Sequence, residues 1–474
     1  MPWSRADARV SAAASLPESD LGLAERFALW FGPTWRYRPG HGWMHYDGRR
    51  WALDAHGQTA VAHMLQVVRA VTELEPARLG REGSELRAAA ARDRRRRWAT
   101  SCETPRHLDA ALRLAQALPG MLIEEHRWDA DPYALNTLSG VLDLRTGDLT
   151  PPRPEHLCTG LVDADVDPSA RSTALDAVLA HLTGGDPAVR AFLARWFGYC
   201  LTASMACEVF TFTYGAASSG KTTLLSAFTS MMGSYADTAS PDDFSARRAV
   251  GGPTPEIMRL IGKRFIYIPE AGGLRMDVSR VKQIVGGDPL VARFLHQNPV
   301  TFHPVCKLAF TANELAVVPD DDPGLRRRLL PLRVPSPVTR ADARIKHDLE
   351  HTPEGRAALL AFAARGAAKW IAAGADLAAL AVPGTVTAGV QDYLEQMDPL
   401  AEWWDERVHE RPGARTLTSA LHANYSLWAR EHAVARPLGM KSFAQRLTAR
   451  GFPVDADRTH GSLRRGLAIR GSFV

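Results

Sequence analysis

A nine-residue turn, GAASSGKTT (Gly215–Thr223), most narrowly limits what the middle of this 474-residue chain can become. It follows an apolar, β-rich run, CEVFTFTY, and leads into TTLLSAFTSMM, whose apolar residues recur at helical spacing until Gly233 stops the pattern. A strand that passes through a glycine-rich turn straight into a helix commits the chain to an open α/β layer. Gly215 and Gly220 let the backbone curl so that its N–H groups converge, backed by the positive end of the following helix. Gly215, Ala216, Ala217, Ser218, Ser219, Gly220, Lys221, Thr222 and Thr223 are therefore expected to cradle the phosphates of ATP. Lys221 would reach the β- and γ-phosphates, and the Thr222 hydroxyl would ligate Mg2+. Lysine is scarce in this chain: seven of the 57 cations are lysine, 50 are arginine, and Lys221 is the first lysine. A compact ammonium at this position is thus no accident of background composition. Lys263, Lys307, Lys346 and Lys369 receive no role from the sequence.

The segments that follow add polar ends to apolar strands. KRFIYIPEA (Lys263–Ala271) reads as a buried strand ending in Glu270, where a strand C-terminus faces the ligand crevice of an α/β sheet. That carboxylate is placed to polarise an attacking water and, with Thr222, to hold the metal. CKLAFTANE (Cys306–Glu314) reads as a second such strand, whose Asn313 can hydrogen-bond the γ-phosphate or the water. DDDPGLRRRLLPL (Asp320–Leu332) then supplies Arg326, Arg327 and Arg328, suited to act across a subunit boundary on a neighbour's γ-phosphate. Taken singly, Glu270 also fits a surface acid at a strand end, and the arginines a solvated loop. Between the two strands, VKQIVGGDPLVARFLHQNPVTFHPV (Val281–Val305) reads as a helix bearing Lys282, a turn, and a β-hairpin around Asn298-Pro299.

Elsewhere the signals are coarser. A composition of 46% hydrophobic and 23% charged residues is that of a folded chain and excludes disordered and fibrous classes. Cys102, Cys158, Cys200, Cys207 and Cys306 form no CxxC pair, so neither a zinc module nor a disulfide framework is expected, and a reducing cytoplasm fits. The N-terminal twenty residues lack the apolar core of a signal peptide, and the apolar stretch Ala357–Val382 is interrupted by Arg365, Lys369 and Asp376, so no membrane partner is expected. WMHYDGRRW and SGVLDLRTGDLTPP each read as a hairpin, and 173–199 as helical. The run Arg94–Arg97 lies in a helical region and reads as a solvated face, with nucleic-acid contact as the other reading. Asp163 and Asp165 read as surface acids. The net charge of +5 is localised: residues 441–474 hold seven cations against two acids and carry the whole excess. Lys441, Arg446 and Arg450 fall on roughly one face of KSFAQRLTARGF, followed by the wing-like RRGLAIR with Arg464 and Arg465. Such a helix and wing can neutralise phosphates, or the basic helix can serve a protein contact.

In order, the phosphate loop, the IPEA strand, the K…GGD…AR hairpin segment, TAN and RRRL resemble the superfamily 3 helicases. More narrowly, they resemble the helicase portion of the phage/plasmid primase-helicase family. Pro132–Thr159 and YDGRRW resemble the domain preceding that helicase, and SALHANYSLWAREH with KSFAQRLTARGF resembles its C-terminal winged-helix module, so the likeness runs from about residue 27 to the end. It implies that Gly215, Gly220, Lys221 and Thr222 form the phosphate and Mg2+ loop, Glu270 is the catalytic acid, Asn313 the sensor, and Arg327 or Arg328 the finger acting in trans. It also implies that Lys282 is the lysine of an extra motif, and that Arg293 and His296 belong to the hairpin gripping DNA within a ring. Two departures stand out. Pro269 precedes Glu270 where many such ATPases carry a second acid, which shifts metal coordination toward Thr222 and water. No polymerase domain fits ahead of residue 27, so primer synthesis is not expected of this chain.

The expected fold is α/β: an AAA+-like P-loop ATPase domain at 171–340, preceded by an α+β domain at 27–170 and a poorly ordered lead-in at 1–26. A helical connector at 341–384 and a winged-helix DNA-binding module at 385–474 complete it. The expected activity is that of an ATP-dependent, Mg2+-requiring DNA helicase replicating a phage, plasmid or integrated element. It would act as a homo-hexamer on single-stranded or forked DNA in the bacterial cytoplasm, with a separate primase as partner. An origin-binding initiator or loader that assembles on DNA without processive unwinding shares the same motifs, as does an ATPase that remodels protein alone.

Overall fold

The computed structural model describes residues 8–79, 85–245, 254–293, 299–313, 322–334, 338, 342–389, 400–432, 434, 437–457 and 461–470. They form two compact units that divide between Thr387 and Ala388.

The first unit opens with helices where the sequence suggested little order. α1 (Ala8–Ser15) and α2 (Asp20–Phe31) are ordered because a narrow apolar stripe with Val10, Ala13 and Leu23 is fully buried, and Ser19 caps α2 by accepting from the Gly22 N–H at 3.1 Å. β1 (Trp35–Arg38), β2 (Gly42–Tyr46) and β3 (Trp51–Leu53) form an antiparallel meander, with Tyr46 opposite Trp51 across the expected Asp47-Gly48 turn. α3 (Gln58–Glu73), α4 (Glu85–Ser101) and α5 (Pro105–Gln116) close this helical domain. Its centre is ionic. Glu75, 1% exposed, accepts from Arg26 Nε at 2.7 Å and Nη2 at 3.1 Å, and from Arg95 of α4. The arginine run is therefore not a wholly solvated face, since Arg95 has been drawn inward by that carboxylate.

β4 (Ala134–Thr137), β5 (Gly140–Asp143) and β6 (Leu149–Thr150) form a second antiparallel sheet containing the other expected hairpin. Asp163 pairs with Arg356 and Asp165 accepts from the Ser139 hydroxyl. Leu135, Leu142 and Val162 pack into the same core as α6 (Thr173–Leu182), α7 (Pro187–Leu201) and the strands beyond, so this core is continuous across position 170.

β7 (Phe210–Tyr214), α8 (Lys221–Met232), β8 (Ala236–Thr238), α9 (Pro255–Met258), β9 (Phe265–Ile268) and α10 (Val278–Val285) follow. β10 (Leu290–Ala292) and β11 (Val300–Phe302) pair antiparallel, apart from the main sheet, as the sequence suggested for the hairpin. β12 (Lys307–Ala312), α11 (Pro323–Arg326), β13 (Leu329–Arg333), α12 (Ala343–His351) and α13 (Pro353–Ala372) complete the unit. The main sheet is five-stranded and parallel, in the order β13-β7-β12-β9-β8. Every residue of β7, β9 and β12 is buried, which is why these strands read as unbroken apolar runs rather than as alternating ones. α13 crosses α7 closely enough that a Cβ at Gly366 would lie 1.7 Å from the Ala194 carbonyl oxygen. No described helix is long and apolar enough to cross a membrane.

The second unit runs α14 (Ala401–Arg407), β14 (Val408–Leu417), α15 (Thr418–Glu431), α16 (Met440–Ala449), β15 (Val454–Asp457) and β16 (Gly461–Ile469). Its three strands form an antiparallel sheet in the order β14-β16-β15 around Trp403, Tyr425, Phe443 and Leu467.

Because Glu75 is the shared acceptor of two buried guanidinium groups, Glu75→Ala takes the carboxylate from Arg26 and leaves Arg95 with that of Glu18 alone. The expected loss is about 3–5 kcal/mol in urea unfolding of the helical domain, followed by tryptophan fluorescence. A loss below about 1 kcal/mol would show that the pair is dispensable.

Candidate nucleotide site and nucleic-acid interface

The turn after β7 has the curled backbone that its glycines suggested. Gly215, Ser218 and Gly220 have φ of 139°, 58° and 78°, and a Cβ at Gly215 would lie 2.7 Å from the Val334 carbonyl oxygen, so only glycine fits there. Gly220 is the N-cap of α8 and supplies no side-chain acceptor, which leaves the first-turn N–H groups of α8 available to an anion. Lys221 is 6% exposed, and its Nζ donates to the Gly215 and Ala216 carbonyls at 2.8 Å each and to Ser219 Oγ at 2.9 Å. All three acceptors are neutral, and burial pushes the ammonium pKa below its ordinary value. An ammonium held among neutral acceptors is the group an incoming phosphate would stabilise. Thr222 is exposed on the first turn of α8, and its hydroxyl makes no hydrogen bond among the described residues, so it fits a metal ligand.

Strand register brings three expected residues to one edge. Ala312 pairs with Tyr214 and Phe310 with Ile268, so by extension Asn313 is level with Gly215 and Glu270 with Ala312. β12 lies between β7 and β9, which separates the phosphate-loop strand from the acid strand by two spacings, about 10 Å. Asn313 is exposed at its strand end. Glu270 adopts φ 55°, a left-handed conformation costing on the order of 1 kcal/mol in a non-glycine residue. The turn is held by the Ala271 N–H donating to the Thr311 carbonyl at 2.8 Å. Glu270 lines an open cleft of about 650 Å³ with Asp242, Asp243, Ser245 and Arg275, and the lining includes neither Asn313 nor any residue of the 215–223 turn.

The arginines lie at the other edge. β13 pairs parallel with β7, Leu329 opposite Phe210, so Arg326–Arg328 sit at the start of the strands while the phosphate loop sits at their end. The length of β7 separates them, roughly 15 Å along the strand. Arg328 is anchored, Nη2 on Glu208 at 2.6 Å and Nη1 on the Gly324 carbonyl at 3.1 Å. Arg327 is exposed, with no side-chain partner among the described residues. Lys282 of α10 donates to Asp322 at 2.8 Å, and Asp322 caps α11 by accepting from the Leu325 N–H at 3.1 Å. The Lys282 bond, above all, holds the Asp322 carboxyl below the usual carboxylate range. Lys282 thus ties the helix before the hairpin to the arginine turn, a role that its spacing alone did not reveal.

Of the expected nucleic-acid contacts, Arg293 is exposed at the end of β10, while His296 lies outside the described residues. Lys441 is exposed on α16, Arg446 half-buried, and Arg465 exposed and paired with Asp455. Arg464 requires a correction. It is fully buried, with Nε on Thr418 Oγ1 at 3.2 Å, Nη1 on Thr448 Oγ1 at 2.7 Å and on the Phe452 carbonyl, and Nη2 on the Ala444 carbonyl at 2.8 Å. It closes the C-terminal end of α16 and cannot reach a phosphate.

Sequence reasoning also passed over two buried cations at the far end of the sheet. Arg264 donates to the Leu201 carbonyl at 2.6 Å and the Ala134 carbonyl at 2.9 Å, tying β9 to α7 and β4. Lys307, at the start of β12, donates to the Thr202 carbonyl at 2.6 Å, and burial pushes its pKa down to about 7. Their only sequence signal is a cation immediately before an apolar strand, KRFIYI and CKLAFT.

Residues 24–184 match the family described as D5 N terminal like, and residues 213–328 match a family of unknown function, DUF5906. A protein of Acanthamoeba polyphaga mimivirus named as a candidate helicase is 25% identical over 215 residues, which cover 42% of this chain and 22% of that protein. The chain thus spans about a fifth of the length of the curated relative it matches. Two apo structures of the NrS-1 C-terminal region align over 65% of this chain and 78% and 77% of theirs, with TM-scores of 0.38 and 0.39 and identities of 13% and 12%.

Arg464→Ala is expected to destabilise the C-terminal unit by roughly 3 kcal/mol, because two carbonyls lose a charged donor. Arg465→Ala, which removes an exposed pair, should cost less than about 1 kcal/mol. Equal thermal shifts for the two variants would contradict the division into a structural and a surface arginine.

Proposed function

We propose that this chain is an ATP-driven DNA helicase of the superfamily 3 type, related to the helicase part of phage/plasmid primase-helicases, and that it works as a homo-hexameric ring. The observation that carries this reading is the opposition of the two sheet edges. Phosphate loop, Asn313 and Glu270 share one edge of the parallel sheet, and Arg326–Arg328 occupy the other. An arginine separated from its own phosphate loop by a strand length stabilises a γ-phosphate only when it comes from a second copy, and head-to-tail repetition of such a contact gives a ring where the rotation between copies closes.

The strand order is in keeping with an AAA+-like ATPase, with the sensor strand between the phosphate-loop strand and the acid strand. In the hydrolytic step, Lys221 and the α8 N-terminus hold the β- and γ-phosphates, Glu270 orients and deprotonates the attacking water, and Asn313 positions it. Mg2+ held through Thr222 would neutralise charge shared by the β- and γ-oxygens. Arg327 of an adjoining copy meets charge developing on the transferred group. The β10–β11 hairpin, inserted between the acid strand and the sensor strand, carries Arg293 and is the element proposed to move along single-stranded DNA. The match of residues 24–184 to the D5 N terminal like family and the helicase name of the mimivirus relative support the same direction. In the second unit, helix, strand, two helices and a terminal β-hairpin are consistent with a winged helix, which would present Lys441 and Arg465 to phosphates. A separate primase is its proposed partner at the fork.

Lys221→Ala should lower ATP turnover at least about 100-fold with an unchanged thermal melt. Undiminished turnover would refute the nucleotide site. Arg327→Ala doped into wild-type protein should depress activity more steeply than the mutant fraction, since each mutant disables a neighbour's site; a strictly linear decline would remove the trans-acting arginine. Strand displacement on a forked duplex that requires hydrolysable ATP separates a helicase from a loader, for which assembly without displacement is expected.

A further inference from the structure

α4 contributes little to the core of its domain. Of its 17 residues only Ala88, Arg95 and Ala99 are buried, and projected on a helix of 3.6 residues per turn these occupy an arc of about 40°. Ala91, Arg92 and Trp98 flank that arc half-buried, and the remaining face of the helix is exposed as a ridge. The helix carries six arginines, Arg87, Arg92 and Arg94–Arg97, against two acids, Glu85 and Asp93. Arg95 is committed to Glu75 and Glu18, and Arg92 to Glu85 of the same helix. Arg94 reaches Glu18 at 3.2 Å while 68% of its side chain stays exposed. Arg87, Arg96 and Arg97 are exposed and have no side-chain partner among the described residues.

Their placement is specific. Arg97 points directly away from the buried arc, with Arg87 about 80° to one side and Arg96 about 100° to the other. Arg94 strengthens the Arg87 flank. From Arg87 to Arg97 the row extends about 15 Å along the axis. Cations on both flanks of a protruding helix, with one at its crest, match two phosphate strands and the groove between them. The B-DNA major groove, about 12 Å wide, admits a helix of about 10–12 Å diameter. A membrane-surface helix would instead expose an apolar face, and the single exposed large apolar side chain recorded on α4 is Leu86. A flat acidic protein surface would leave one flank unmatched.

We infer that α4 is a second nucleic-acid surface, a duplex-binding ridge on the helical domain that inserts into the major groove and contacts phosphates of both strands through Arg87, Arg94, Arg96 and Arg97. It takes its setting from the proposed helicase, in which it would hold the parental duplex, but its geometry stands independently of ATP hydrolysis.

The test uses the full chain without nucleotide and a fluorescein-labelled 20-bp duplex, read by anisotropy over a salt series. Arg87→Ala/Arg96→Ala/Arg97→Ala should weaken duplex binding at least about tenfold at 0.1 M salt and reduce the slope of log affinity against log salt by about 2.7. The corresponding triple lysine variant should restore most of both, and the thermal melt and DNA-free ATPase should not move. Unchanged affinity and slope would overturn the ridge and leave the helicase reading untouched. An equal loss toward poly-glutamate or phosphatidylserine vesicles would overturn the nucleic-acid assignment, and a larger loss toward a single strand than toward the duplex would overturn the groove. Loss of duplex binding in a protein whose wild type hydrolyses no ATP would sustain the ridge while the helicase reading fails.

Discussion

The parallel register of β7, β12 and β9 is the constraint on which the rest depends. Backbone hydrogen bonds place the ends of these strands level, and each strand is buried over its whole length, so none can slide without exposing aromatic and aliphatic side chains to water. Lys221, Asn313 and Glu270 inherit their spacing from this register rather than from contacts with one another. The same register fixes β13 beside β7 and so assigns the arginine turn to the opposite edge. Separation of the candidate catalytic groups between the two ends of the sheet's strands is what the proposed completion by a second copy rests on.

Around this sheet the chain uses arginine and lysine as internal struts. Arg264 and Lys307 donate to carbonyls at the strand starts, Lys263 donates to the Ser234 and Ala236 carbonyls beside β8, and Arg464 closes a helix end in the second unit. Among the described residues none of these four cations has a carboxylate within ion-pair distance, so each offsets its desolvation by satisfying backbone groups that would otherwise be buried unpaired. Lysines left without a role by sequence alone thus divide: Lys263 and Lys307 hold the sheet, while Lys346 lies at the surface on Glu350 and Lys369 is exposed on α13. Catalytic and structural cations share one chemistry, and what separates them is whether an anion can reach the site.

Much of the parallel-sheet domain was legible because buried parallel strands appear as continuous apolar runs ended by a polar residue, and the turn after β7 needs glycines at fixed offsets. The Asp47-Gly48 hairpin was legible because its turn residues are local. Three features were hidden for physical reasons. The first helix, ARVSAAAS, carries a single large apolar residue, and the packing that orders it comes partly from Glu18 and Glu75 meeting arginines far along the chain. β14 contains Pro412 and Gly413 and shifts register between Glu410 and Arg415, which erases its alternation. In β16, strict alternation would turn Arg465 toward the face of Leu463 and Leu467, yet Arg464 is the residue inside; Gly466 at φ 84° interrupts the pattern. A basic doublet therefore identifies a charged strand but not which of its members meets solvent.

The central claim is that the nucleotide site is completed by a second copy of the chain. Its most direct measurement is specific ATPase activity across a broad dilution series, with oligomeric state followed in the same samples by mass photometry. Specific activity should fall steeply as rings dissociate and vanish where single copies dominate. Constant specific activity into the range of isolated single copies would contradict the account.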